Sequence, residues 1–225
     1  MVVGSVRAAW SDRRHGDLRP GPDGDRPLTD FVAGVTGHPV DPLYLRWLRQ
    51  VHGATVVEAD RVVGQPPPEG DGLVAVGPDD RLVIFTADCA SIALGSPEGV
   101  YAAVHAGWRG LVAGVVEAAA DAMRSQGATQ VHGAVGPVIH PECYEFAAAD
   151  LDSVAGRLGD RVRGRTSEGR PALDLPAAVG EVFDRAGVRP VEGDDACTSC
   201  SGRHFSHRAR GDIGRQALVV WSVDV

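Results

Sequence analysis

Five short runs rich in Val, Ile and Leu crowd into the middle of the chain: Thr55 to Ala59, Leu73 to Val76, Leu82 to Thr86, Ser91 to Leu94 and Val100 to Val104. Most are nearly continuous in apolar character rather than alternating, so as strands they require cover on both faces of a sheet. Helical patterns supply that cover. Leu111 to Gln126 places Leu111, Val115, Ala118, Ala119 and Met123 on one stripe and stops at Gly127, so it is expected to lie across the sheet. Pro176 to Ala186 reads as a helix with Pro in its first turn and Gly187 just past its end. Cys143 to Leu158 has mixed helical character broken by Gly156, and Val131 to Val135 and Gln216 to Val223 are two more strands.

The first fifty residues read as loop-rich, with a turn cluster from Arg19 to Gly24, and a second punctuation runs from Gln65 to Gly70. Neither is long enough for an interdomain linker. With no internal repeat, the expected architecture is one α/β domain over residues 1–225, an α/β/α sandwich with a mixed β-sheet. A chain of this length buries roughly 70% of its unfolded surface and needs no disulfide or second subunit to fold. A monomer or weak homo-oligomer is expected.

Composition removes several function classes. With 22 basic and 30 acidic residues the net charge is −8, which argues against nonspecific binding to nucleic acid or an anionic membrane and favours a small-molecule substrate. The chain contains no lysine and no asparagine. Schiff-base chemistry, a P-loop lysine and a kinase strand lysine are therefore excluded, and any bound phosphate must be held by arginine forks and backbone amides. Four irregularly spaced cysteines do not make a disulfide scaffold. Met1 to Trp10 lacks a basic patch followed by an apolar run, and Asp88 interrupts the longest apolar segment, Leu82 to Leu94. A cytoplasmic protein is expected.

Three potential metal ligands sit at strand boundaries: His52 before the first run, Cys89 after Leu82 to Thr86, and His105 directly after Val100 to Val104. Strand ends can bring such residues to one edge of a sheet, where an ion with three protein ligands keeps a fourth position open. Spacing alone fits two hydrogen-bonded histidines and a buried thiol better than a metal site, free cysteine being among the most buried residue types. The segment His105-Ala-Gly-Trp-Arg-Gly110 passes from strand to helix, so Arg109 and the amides of the turn are candidates for an anion, or the glycines simply permit the turn and Trp108 is core. Cys197-Thr-Ser-Cys200 has the spacing of half a zinc site without a second half, and reads as structural, with His204 or His207 as its only nearby partners. Asp88 and Glu145 are the carboxylates placed to act as acid, base or orienting groups, or as ordinary turn residues.

Taken in order, Arg49-Gln-Val-His-Gly53, Thr86-Ala-Asp-Cys89, Val104-His-Ala-Gly-Trp-Arg-Gly110, Gly136-Pro137 through Cys143-Tyr-Glu145, Cys197-Thr198, and Phe205-Ser206 through Gly214-Arg215-Gln216 resemble the laccase-domain family, also called multicopper polyphenol oxidoreductases. The resemblance spans about residues 43 to 221. It implies an α/β/α sandwich, Zn2+ on His52, Cys89 and His105, and purine nucleoside phosphorylase activity with adenosine deaminase and methylthioadenosine phosphorylase activity beside it. Its substrates would be purine nucleosides and phosphate. The eight histidines are scattered, with no His-x-His pair, so the donor set suits zinc better than a multicopper centre.

On that basis Arg109 and Arg208 are the phosphate candidates and Asp88 the proton donor. Two segments depart from the family pattern. Ser11 to Asp17 replaces a Thr-Arg-x-Gly-Gly-like loop, leaving Arg13 or Arg14 for the arginine role, and His207, Ala209 and Arg210 alter a Phe-Ser-Tyr-Arg-Arg-Asp-Gly motif. Two rival readings follow: a hydrolase of amides or peptidoglycan precursors with Cys89 as nucleophile and His105 as its base, and a catalytically silent purine-binding module.

Overall fold

The computed structural model describes residues 1–21, 24–62 and 66–223. Parts of both turn-rich segments, residues 22–23 and 63–65, lie outside the described residues, as does the 224–225 end.

The apolar runs become strands where the pattern places them. In chain order the elements open with β1 (Val2–Val3), β2 (Val6–Trp10), α1 (Arg26–Thr36), β3 (Leu45–Arg46) and β4 (Val56–Glu58). Then come β5 (Gly72–Val76), β6 (Arg81–Thr86), β7 (Ala90–Gly95), β8 (Val100–Ala106), α2 (Trp108–Ala113), α3 (Val115–Ser125) and β9 (Val131–Val135). The last are α4 (Ala148–Leu158), β10 (Arg163–Arg165), β11 (Pro171–Leu173), α5 (Leu175–Ala186), β12 (Val188–Pro190), α6 (His207–Arg210) and β13 (Gln216–Ser222).

These strands form a five-stranded sheet in the order β1-β2-β13-β6-β3, a six-stranded sheet β12-β9-β7-β8-β5-β4, and a small β10-β11 hairpin. Both large sheets mix parallel with antiparallel pairs. The α/β class with mixed pairing is as expected, and the β layer of the sandwich is two sheets deep. Alternation along the strands shows why. In β8, Tyr101 and Ala103 face the other sheet and pack with Val6, Leu82, Ile84, Leu218 and Val220. The opposite set, Val100, Ala102 and Val104, packs with Val115, Ala119 and Met123 of α3 and Val179 and Val182 of α5. On the far side, Val83, Phe85 and Val219 meet Leu28, Phe31 and Val32 of α1. The central strands β7, β8 and β13 therefore bury both faces, at about 1.5–3 kcal/mol for each large side chain removed from water.

Three sequence expectations are corrected. The first fifty residues are not mostly loop: they hold α1, with Pro27 in its first turn and Gly37 as a left-handed cap, and β2, which pairs along β13. The stripe from Leu111 to Gln126 is two helices, because Gly114 turns the chain at φ +88°. Gly156 does not break its helix. It faces open space inside α4, where a glycine costs about 1 kcal/mol and is carried by the buried Leu151, Val154 and Leu158. Among the described residues no helix is long and apolar enough to cross a membrane.

Candidate active site

Sheet register brings the expected ligands together. Antiparallel pairing sets Ala90 opposite Ala106, so Cys89, one residue before β7, lies beside the end of β8, where His105 sits. His105 is on the same face as Tyr101 and Ala103, but at the strand end that face opens into a cleft instead of core. The loop before β4 supplies His52. One donor atom from each of His52, Cys89 and His105 lies within 4.8 Å of the others, and these three side chains can hold a metal ion. The His52 Nε2 to Cys89 Sγ separation is 3.8 Å. Zinc bonds of about 2.0 Å to nitrogen and about 2.3 Å to sulfur, set at a tetrahedral angle, give roughly 3.5 Å.

The residue that organises this site is one the motif reading passed over. Asp71, completely buried at the start of β5, accepts the amides of Val51 at 3.3 Å, His52 at 2.9 Å and Gly53 at 2.7 Å, and the Nδ1–H of His105 at 2.8 Å. That last bond fixes the His105 tautomer and points Nε2 into the cleft, the arrangement in which a carboxylate orients a metal-binding imidazole. The His105 amide also donates to the Asp71 carbonyl at 2.7 Å. Burial pushes the Asp71 carboxyl up, but the His105 and Gly53 hydrogen bonds outweigh it and hold the group below the usual carboxylate range. The Gly70-Asp71-Gly72 triplet at a strand entrance was the available signal, since a carboxylate between two glycines there has no solubility role.

Among the described residues the non-glycine residues with positive φ are His52, at +60°, and Asp88, at +111°. Both belong to this site, and each such conformation costs about 1–3 kcal/mol that neighbouring contacts must offset. For His52 the three amides gathered on Asp71 do so. For Asp88, Thr198 Oγ1 donates to one carboxylate oxygen at 2.6 Å and the Arg208 amide to the other at 2.7 Å. Gly107 is required for a different reason. A Cβ at that position would stand 2.9 Å from His52 Cδ2 and 3.1 Å from Cys89 Sγ.

The electrostatics follow from this packing. Burial raises the Cys89 thiol, yet hydrogen bonding and charge from His105 and His52 bring it down to about 6. Burial lowers His105, while Asp71 and Cys89 raise it to about 9. At neutral pH the pair is thus a thiolate beside an imidazolium, a ready ligand and a displaceable proton.

Above the donors opens a cleft of about 490 Å³, within the roughly 300–1,000 Å³ typical of small-molecule sites. Leu48, Phe85 and Tyr144 supply apolar wall, and Arg19, Arg208 and Arg215 line it with positive charge. Arg208 lies over the Tyr144 ring at 4.7 Å and donates to the Glu145 carbonyl at 2.8 Å. Arg215 donates to the carbonyls of Asp212, Ile213 and Gly214. Both guanidinium groups are positioned by carbonyls and, among the described residues, neither is paired with a carboxylate, which leaves their charge for an anion. Arg19 is paired with Asp17.

Of the other expected residues, Asp88 reaches the cleft but both its oxygens are already acceptors. Arg109 does not line it; its guanidinium stacks on Trp108 at 4.3 Å. Glu145 pairs with Arg170. Neither Arg13, bound to Asp212, nor Arg14, bound to Asp12, lines the cleft; Arg19 does.

A family model described as multi-copper polyphenol oxidoreductase laccase matches residues 31–223. The chain belongs to this family. Proteins named purine nucleoside phosphorylase are similar to it: one of Streptomyces coelicolor is 39% identical over 81% of this chain and 76% of its own length, and one of Streptomyces griseus is 35% identical over 98% and 96%. A Neisseria meningitidis protein of known structure superposes with a TM-score of 0.83 at 25% identity, covering 98% of this chain and 95% of that one. YlmD from Geobacillus stearothermophilus superposes at 0.81 with 26% identity, covering 98% and 93%. The multicopper centre in the family's descriptive name does not fit the number of donors. Two His/Cys groups among the described residues are close enough to hold an ion; one contains two histidines and the other none, far short of a multicopper cluster.

Proposed function

We propose that this chain is a zinc-dependent purine nucleoside phosphorylase, with adenosine deaminase and methylthioadenosine phosphorylase activity at the same site. The observation that carries the reading is the convergence of His52, Cys89 and His105 at the base of a cleft whose walls hold carbonyl-fixed arginines. The relatives named purine nucleoside phosphorylase support the substrate class. Two nitrogens and one sulfur within 4.8 Å of one another, with Nδ1 of His105 braced by Asp71, suit zinc. Zinc held there by His52, Cys89 and His105 would supply a Lewis acid.

Phosphorolysis breaks the bond between the base and the anomeric carbon and joins a phosphate oxygen to that carbon. Arg208 and Arg215 hold the phosphate by charge-assisted forks and set its oxygen against the sugar. Leu48 and Phe85 offer the purine an apolar surface. Burial and the nearby Cys89 charge push the Tyr144 phenol up to about 12, so at neutral pH it keeps its proton and can donate a hydrogen bond to the departing base. Asp88 contributes by fixing the Arg208 backbone. The test is incubation of the purified protein with inosine and adenosine, with and without phosphate, reading released base, sugar phosphate and ammonia. Base release from inosine should require phosphate; binding without any turnover would replace this reading with the silent purine-binding module.

A second reading is favoured by one specific feature: Asp71, His105 and Cys89 form an orienter–base–nucleophile line, with the thiol lowered to about 6. That constellation would serve a hydrolase of amides or peptidoglycan precursors. Two imidazoles directed at one sulfur favour the ligand role instead, since a nucleophile needs only one.

A further inference from the structure

Cys197-Thr-Ser-Cys200 is not alone. Cys143, more than fifty residues earlier in the chain, joins it, so that three sulfurs lie within 4.8 Å of one another, with Cys143 Sγ to Cys200 Sγ at 2.8 Å. We propose that Cys143, Cys197 and Cys200 form a second metal site, separate from the cleft donors, that takes a thiophilic cation of the zinc class.

Three features of the backbone converge on it. Cys143 ends a single helical turn over Pro141–Cys143, closed by the Cys143 amide on the His140 carbonyl at 3.1 Å. The Cys197 segment is pinned by a parallel bridge to Val138, with the Thr198 amide on the Val138 carbonyl at 3.1 Å. The Ser201 amide then closes the Cys-x-x-Cys turn onto the Cys197 carbonyl at 3.0 Å. A backbone amide, that of His140, points at Cys197 Sγ from 3.5 Å, the kind of outer contact that supports a metal-bound thiolate. Cys197 is buried, Cys143 half-buried and Cys200 exposed, so the cluster has a protein side and a solvent side from which an ion and a fourth ligand can enter. A disulfide would consume two of the sulfurs and leave the third without a role. A cation uses all three, and seats them by opening the close pair by about 1 Å, to the roughly 3.8 Å that two zinc–sulfur bonds span.

The position gives the ion a structural task. Thr198 lies inside the Cys-x-x-Cys turn and its hydroxyl holds Asp88; Tyr144 follows Cys143 and lies under Arg208. Tying the two loops together therefore fixes one wall of the cleft. The proposal does not depend on what that cleft catalyses.

The test uses full-length protein purified under reducing conditions and loaded with zinc or cobalt. In a His52→Ala, His105→Ala background, which removes the cleft ligands, one zinc per chain should remain, and the cobalt form should keep intense sulfur-to-metal absorption. Adding Cys200→Ser, at an exposed position, should abolish both, and Cys143→Ser should do the same. Cys200→Ser alone should leave one zinc in the cleft, which separates failure here from failure of the cleft assignment. Absence of metal from the double-histidine variant with all four thiols free would overturn the proposal, as would a Cys143–Cys200 disulfide formed under these reducing conditions.

Discussion

Replacing Asp71 by Asn tests the organisation of the site more sharply than removing any ligand. The side chain keeps its shape and loses its charge and one acceptor. One Asp71 oxygen accepts from the amide of His52 and from His105 Nδ1; the other accepts from the amides of Val51 and Gly53. Whichever way an Asn amide turns, its NH₂ faces two donors. Each hydrogen bond to a charged group contributes about 1.5–3 kcal/mol, so losing two costs roughly 3–6 kcal/mol, a large part of the roughly 5–15 kcal/mol that holds a domain together. His52 is held at φ +60° by the same contacts, so its ring should leave the ligand position, and the His105 tautomer is no longer fixed. Zinc affinity is expected to fall 10- to 100-fold, the usual effect of losing such an orienting group. Urea unfolding of the metal-free protein measures the first quantity, and competition with a chromogenic chelator the second. The wild type carries a further signature. Because the folded Asp71 carboxyl sits below its unfolded value, its stabilisation is present at neutral pH and is lost as pH falls through that depressed value; the Asn variant should lack this step. Wild-type stability together with wild-type zinc affinity in Asp71→Asn would refute the reasoning.

Other expectations follow from the same geometry. Gly107→Ala keeps an allowed backbone, φ −74°, but its Cβ presses His52 and Cys89 apart, so zinc affinity should drop with little change in melting temperature; equal losses of both would point to a packing role instead. His52→Ala and His105→Ala should each empty the cleft of metal while circular dichroism stays native, and full zinc occupancy in either would remove that residue from the ligand set. With Cys89 already a thiolate above about pH 6 and His105 holding its proton to about 9, zinc binding must displace that proton, so affinity should rise about tenfold per pH unit from about 7 to about 9 and then level off; a flat profile contradicts the charge state. Cys89→Asp should retain weak zinc binding and a trace of nucleoside activity where Cys89→Ala retains less, and alkylation of Cys89 should be slow until a chelator removes the metal.

How much was legible depended on whether a signal was local. The continuous strands of the centre were, because burial on both faces writes itself into every residue. The depth of the β layer was not: Val6 to Trp10 lies in the second sheet by pairing with β13, some two hundred residues later, and no short window contains that contact. Helix α1 was legible and missed. Leu28, Phe31 and Val32 carry the spacing, Pro27 and Gly37 the punctuation, but Gly34 and the surrounding turns obscured them. In the site, His52, Cys89 and His105 were marked by motif. Asp71 was not, because its work is done for residues in two other segments. Arg109 looked like an anion ligand from its place after a strand, yet a side chain two residues past a glycine turn can face either way, and here Trp108 takes it. Arg19 had no motif at all.

The central claim joins a metal to a reaction, and the direct measurement is formation of sugar phosphate from inosine as zinc is withdrawn from the cleft and returned. Activity should fall in proportion to the zinc lost from the cleft and should return when that zinc is restored. Undiminished phosphorolysis by the zinc-free protein would contradict the account.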